Sequence, residues 1–222
     1  VSYSTAISTL LMALGLDIGK KTTKVSNGVP NWILNSNDKK LWSSYLSGLF
    51  GGDGCKIRFN KMDKRGYNFV CASMQMTKID EHIDSLINFM ADISNMLSEL
   101  GIESCVKTVK SKDIGKQCSG VKLMDTQENL IKFMQVVNYA YDEKKNNHSH
   151  IVKNYLKYHQ ENKKKYIENI TNIRNDIDHM ERNDIADKYG ISRANLSDII
   201  RSKNDNRKIS CGNIENDKTI EY

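Results

Sequence analysis

Apolar residues recur along this chain with two different periods, and the changes of period mark the element boundaries. Between Ser4 and Gly15, residues Ile7, Leu10, Leu11 and Leu14 share one face of a 3.6-residue repeat and Gly15 suits a C-cap, which predicts a short first helix. An irregular connection follows through Gly19-Lys20-Lys21-Thr22 and Val29-Pro30-Asn31-Trp32-Ile33, where the single proline fixes the backbone. Ser36 or Asp38 can cap a helix over Lys39 to Gly52, with Leu41, Trp42, Tyr45, Leu46, Leu49 and Phe50 on its apolar face.

Beyond that helix the period drops to two. Cys55, Ile57 and Phe59 alternate with Lys56, Arg58 and Asn60, and a turn over Met62 to Gly66 leads into a strand-like stretch from Tyr67 to Thr77, so a hairpin with one polar face is expected. Asp80 to Leu100 is helical, with Ile83, Leu86, Ile87, Phe89, Met90, Ile93, Met96, Leu97 and Leu100 in a wide stripe closed by Gly101. A second strand pair, Glu103 to Lys110 and Lys116 to Met124, precedes a helix over Thr126 to Tyr141. The order helix, two strands, helix, two strands, helix predicts an α+β domain whose antiparallel sheet carries its helices on one face.

From Lys153 the composition turns to Lys, Asn, His and Asp, including Lys163-Lys164-Lys165, and a linker is expected there before periodicity resumes near Tyr166. The stretch from Asn183 to Ile200 has the pattern of a helix-turn-helix: Ala186 suits a tight crossing, Gly190 the turn, Ser192 the cap of a second helix, and Ile185, Ile191, Leu196 and Ile199 a shared core. Tyr166 to Ile177 would supply the preceding helix. In that arrangement Arg193, Ala194, Asn195 and Ser197 face a DNA groove, while Arg201 and Lys203 reach phosphate. The bland alternative is a helical hairpin that packs on the main domain. The tail from Asn204 is polar.

Composition narrows the setting. With 222 residues, 39% of them hydrophobic, the chain can bury a core, and a net charge of +6 permits a polyanionic partner without demanding one. Five cysteines without a CxxC pair or zinc-spaced histidines indicate neither a disulfide framework nor a structural zinc. A soluble, intracellular protein of the cytoplasm or nucleus is expected, since no apolar run approaches the ~20 residues of a membrane span and no leader opens the chain. The sequence begins at Val1 inside a helical pattern, as a piece of something longer would.

The nonapeptide Leu46-Ser47-Gly48-Leu49-Phe50-Gly51-Gly52-Asp53-Gly54 resembles the signature of LAGLIDADG homing endonucleases, particularly the DOD type found in inteins, and matches it at Leu46, Gly48, Leu49, Asp53 and Gly54. It departs from it at Gly51, a position often acidic in the family. The resemblance covers roughly residues 41–156, and Leu14-Gly15-Leu16, Gly19-Lys-Lys-Thr and Val29-Pro-Asn-Trp-Ile are similar to the connector between repeats. It implies an αββαββα LAGLIDADG unit over residues 36–158, preceded by the end of another repeat over 1–35, followed by a small all-α helix-turn-helix domain over 159–205 and a polar tail over 206–222.

By the same resemblance Asp53 and the Gly52 carbonyl are ligands of Mg2+ or Mn2+, and Gly48 and Gly52 allow a second motif helix to pack closely. Only one motif copy is found, because Leu14-Gly15-Leu16-Asp17-Ile18-Gly19 has the wrong spacing, so a second repeat is expected upstream in the same polypeptide or in a dimer mate. Lys78, Lys144 and Lys145 are candidates to assist catalysis. Double-stranded DNA is the expected partner, contacted by Lys56, Arg58 and Asn60, by Lys64 and Arg65 in the turn, by Ser73 and Gln75, and by Lys107 and Lys122. The expected function is site-specific double-strand DNA cleavage. A catalytically inactive DNA-binding remnant or regulator, and a structural module of a larger protein, are the alternatives.

Overall fold

A computed structural model of the chain describes residues 5–15, 21–25, 28–62, 66–70 and 72–204. The tail from residue 205, Arg65, Lys64 and part of the connector, Leu16 to Lys20, lie outside the described residues, as do the side chains of Asn60 and Lys203.

The chain divides into two compact units, Val1–Asn60 with Asn68–Asn154, and Lys61–Tyr67 with Tyr155–Tyr222. The first holds α1 (Thr5–Ala13), a single 3-10 turn (Lys21–Thr23), α2 (Asn31–Leu34) and α3 (Lys39–Asp53). Asp38 starts α3 by accepting from Lys40 N at 2.8 Å, so of the two expected caps it is the one used. Trp42 donates its indole N–H to Ile33 O at 2.7 Å, fixing the connector against α3. None of the residues of α1 is buried, and Ile7 and Leu10 of its apolar face are exposed.

After α3 come β1 (Arg58–Met62), β2 (Gly66–Val70) and β3 (Ser73–Ile79). The stretch expected to form one strand from Tyr67 to Thr77 is interrupted: β1 and β2 form their own two-stranded ladder, and β3 joins β4 (Ser104–Lys110) and β5 (Lys116–Leu123) in an antiparallel sheet of order β3-β5-β4. Ala72, just before β3, is fully buried, as is Ile57 just before β1. Pairing resumes through a Gly54 to Met74 bridge and a bond from Cys55 N to Ser73 O of 2.7 Å.

Register decides which side chains share a face. Gln75, Gly120 and Lys107 stand opposite one another across the three strands, as do Ser73, Lys122 and Cys105. On the other face Met74, Val121 and Leu123 are buried under α4 (Ile83–Glu99), which contributes Leu86, Phe89, Met90, Ile93 and Leu97 from its predicted stripe. α5 (Gln127–Val136) packs on α3 through Phe133 and Phe50, whose rings meet edge to face at 5.1 Å.

The linker expected after Lys153 is instead part of α6 (Glu143–Asp176), 34 residues long. Its lysines, asparagines and glutamates are compatible with helix, and the stretch contains neither glycine nor proline; low hydrophobicity here marks a solvated helix rather than a break.

In the second unit the C-terminal part of α6, α7 (Arg182–Tyr189) and α8 (Arg193–Asn204) enclose a core of Ile170, Ile173, Ile185, Ala186 and Leu196. Gly190 takes a left-handed conformation, φ 61°, and lets Ile191 N reach Ala186 O at 3.0 Å, closing α7 with a Schellman motif. Ser192 then accepts from Asn195 N at 3.2 Å and starts α8.

One side chain ties the strand connections of the first unit to α5. Asn129 is buried, donates to Glu103 O at 2.8 Å and Met124 O at 3.0 Å, and accepts from Glu103 N at 2.7 Å. Replacing Asn129 by Ala strands three backbone groups and is expected to lower stability by about 3 kcal/mol in urea titrations; a loss within about 0.5 kcal/mol would show that water takes over these bonds.

Candidate functional site

The end of α3 concentrates negative charge. Its last carbonyls have no partners within the helix, the helix dipole places its negative pole there, and Asp53 adds a carboxylate in the final turn. The segment from Tyr139 to Lys145 answers that charge. Lys145 Nζ donates to Gly51 O at 2.7 Å and Gly54 O at 2.8 Å and lies 3.5 Å from Phe50 O and from Gly52 O. Ala140 N donates to Ser47 Oγ at 2.8 Å, and the fully buried Tyr139 donates its hydroxyl to Cys55 O at 3.0 Å.

Lys145 is itself held. Asp142 caps the start of α6 by accepting from Lys145 N at 3.0 Å, while its second oxygen stands 3.5 Å from the Lys145 ammonium. The Lys145 backbone N–H, with the Lys145 charge adding to it, holds the Asp142 carboxyl below the usual carboxylate range.

The glycines of the motif divide the work. A Cβ on Gly54 would lie 2.5 Å from Phe50 O, so only glycine allows the chain to leave α3 at this angle. Gly51 is buried, and a Cβ there would lie in ordinary contact with the clamping segment, 3.6 Å from Tyr141 N. Gly52 and Asp53 face solvent, and nothing lies near a Cβ at Gly52. Gly48 looks onto the ring of Tyr141, 3.4 Å away and itself 84% exposed.

The other sequence-predicted residues fall into three groups. Lys122 lies at the motif end of the sheet, since it pairs with Ser73, whose carbonyl binds Cys55 N; it also forms an ion pair with Asp125 at 2.9 Å. It shares the outer face with Gln75, Lys107 and Ser73, while Lys56 and Arg58 are exposed along the chain leaving α3. Lys78 does not join them. It has the parity of Met74, which turns it to the inner face, and it lies four residues further along β3, about 13 Å away at ~3.3 Å per residue. There it is buried and donates to Lys21 O at 2.7 Å and to Lys24 O, holding the connector. Lys144 is exposed, one residue from the lysine that reaches the motif.

In the second unit Arg193, Asn195, Ser197 and Arg201 are exposed on α8; Ser197 Oγ donates to Arg193 O at 2.9 Å, and Arg201 stands 3.6 Å from Asp198. The sequence signal for the Lys145 cap was the spacing Asp142-Glu-Lys-Lys145, a helix cap followed three residues later by a cation.

Magnesium and manganese take oxygen ligands, with one or two carboxylates and several waters sufficing. The exposed Asp53 carboxylate beside Gly52 fits one half of such a site. Among the described residues no group of three or more His, Cys, Asp and Glu could hold a metal ion. No helix among the described residues is long and apolar enough to cross a membrane.

No protein-family model matches the chain. It is similar to the tRNA-splicing ligase RtcB of Pyrococcus abyssi, 34% identical over 159 residues that make up 69% of this chain and 16% of that protein. The RtcB of Methanopyrus kandleri is 31% identical over 64% of this chain and 13% of its own length. A replication factor C small subunit of Methanocaldococcus jannaschii is 30% identical over 67% of this chain and only 7% of its own. The chain thus spans less than a fifth of these curated relatives. Among solved structures, mesophilic variants of the homing endonuclease I-DmoI align with 45% of this chain and 60% of theirs, at 18% identity and a TM-score of 0.26.

The Asp142 cap gives this site a pH signature. A carboxyl whose folded value is depressed contributes stability above its unfolded value and loses it as pH falls through the folded one. The Asp142→Asn variant should therefore melt below wild type at about pH 7, and the gap should narrow as pH falls below the ordinary carboxylate range of about 4. A gap that stayed constant across that range would mean the Asp142 charge does not act on the fold.

Proposed function

We propose that this chain is the second repeat of a LAGLIDADG-type, site-specific DNA endonuclease of the kind carried by inteins, residues 36–158 forming the αββαββα unit and 159–205 a helix-turn-helix that lengthens the DNA contact. The observation that carries the reading is the end of α3: an exposed Asp53 beside an open Gly52, on a helix tip clamped from its buried side. The pattern of relatives supports it. Stretches of 159 and 148 residues match a tRNA-splicing ligase and a replication factor C subunit, and take up a small part of each. Likeness to a small part of proteins with such different names supports an inserted mobile element.

In this reading Mg2+ or Mn2+, when bound, supplies charge neutralisation at the scissile phosphate and an activated water. Asp53 and the Gly52 carbonyl would hold it with the acidic residue of a second motif helix, from the same polypeptide or a dimer mate. Half-exposed Leu41, Tyr45, Gly48 and Leu49, with Gly52, offer that helix a face along α3. Lys122 is the cation placed to meet the phosphate backbone near the motif, and Gln75 and Lys107 read base edges from the outer face. Lys78 serves the connector instead. On α8, Arg193, Asn195 and Ser197 would enter the major groove while Arg201 contacts phosphate.

Cleavage of a plasmid library of randomised sites, with the chain expressed in its full reading frame, tests the activity. Mg2+-dependent cutting should fall at least ~1,000-fold in Asp53→Asn with DNA binding retained; equal inertness of wild type and variant, with both binding DNA, would leave the second reading, a DNA-binding protein without cleavage. That reading draws on the single motif copy and on the lack of a three-ligand group among the described residues.

The helix-turn-helix has its own test. Arg201→Ala should weaken binding to all sequences and reduce the slope of log K against log salt by about one, whereas Asn195→Ala should relax preference at one base position by about 1–3 kcal/mol. Unchanged affinity in both variants would reduce α7 and α8 to a packing element.

A further inference from the structure

We infer that Lys145 is the positioning residue of this site: it fixes the carbonyl end of α3 from the buried side and so holds Gly52 and Asp53 turned outward. The inference rests on the nuclease reading for its functional meaning, and on geometry alone for the clamp. The ammonium sits against four carbonyls of the helix end and donates its two short bonds to Gly51 O and Gly54 O, both residues buried, while the carbonyl of Gly52 between them is at 3.5 Å. The bonds therefore bracket the Gly52-Asp53 pair without consuming it.

Three further features make the lysine a fixed part. Asp142 holds its ammonium at 3.5 Å and its backbone N–H at 3.0 Å, the Tyr139 ring lies under the ammonium at 6.0 Å, and the side chain is mostly buried, 18% exposed. The neighbouring contacts Ala140 to Ser47 and Tyr139 to Cys55 tie the same segment to the helix on either side of the motif. A single cation shared among the carbonyls of the helix end also offsets the helix pole, against which the Asp53 charge would otherwise have to stand. Lys144 next door is exposed and meets Asp142 through its backbone N–H.

The test compares Lys145→Met, Lys145→Arg and a destabilised control remote from the site, Asn129→Ala. In metal-free protein, amide hydrogen exchange over residues 51–55 should speed up at least tenfold in Lys145→Met relative to the α4 core, stay near wild type in Lys145→Arg, and in Asn129→Ala change no more than the global stability does. In cleavage titrated with Mg2+, the midpoint should rise about tenfold in Lys145→Met and be restored toward wild type in Lys145→Arg. Exchange that is unchanged at 51–55, or a Mg2+ midpoint that is unmoved or lower in Lys145→Met, would overturn the positioning role. If wild type and Asp53→Asn are equally inert the nuclease reading fails, and the exchange result still decides whether the clamp exists.

Discussion

A helix that must deliver a carboxylate at its C-terminus places like charge on like charge, and the first unit is organised around relieving that conflict. The relief comes from one ammonium, Lys145, bonded to Gly51 O and Gly54 O at 2.7 and 2.8 Å. Everything that fixes this contact is long-range: α5 must pack on α3 through Phe133 and Phe50, the chain must turn after Val136, and Asp142 must open α6 in the right place. The glycines follow from the same requirement. Gly51 makes room for the clamping segment, Gly54 lets the chain leave α3 across Phe50 O, and Gly52 stays open on the outward side.

From this point the sheet inherits its orientation. The chain leaving α3 bonds to Ser73 and Met74 at the head of β3, so the outer-face row of Ser73, Lys122 and Cys105 begins beside Asp53. Polar and basic residues on that face therefore radiate from the carboxylate rather than lying elsewhere on the domain. Gly120 in the central strand permits the close approach of β3, since a Cβ there would meet Met74 O at 2.5 Å.

Much of the architecture was legible because it is local. The cap at Asp38, the stripe of α4 and the turn at Gly190 each express a preference of a few adjacent residues, and each stands where its pattern places it. What was hidden depends on parity or on distant partners. Tyr67 to Thr77 alternates as one strand, yet its two halves pair with different partners, β2 with β1 and β3 with β5. Lys78 sits at a junction that looks like an active-site position, but a count of two along β3 turns it inward. The polar run after Lys153 imitates a linker because a solvated helix and a linker share a composition. Lys145 differs from Lys144 in the face of the first turn of α6 that it occupies, and only its spacing of three from the Asp142 cap sets it apart in the sequence.

Lys78 also says something about where this domain begins. Its ammonium is buried in the inner layer and is met by the carbonyls of Lys21 and Lys24, residues that a boundary drawn at the first helix of the unit would assign to another module. Trimming the chain to start at Lys39 would withdraw those two acceptors from a charge the interior cannot solvate. The residues before α3 are thus part of the wall of the first unit.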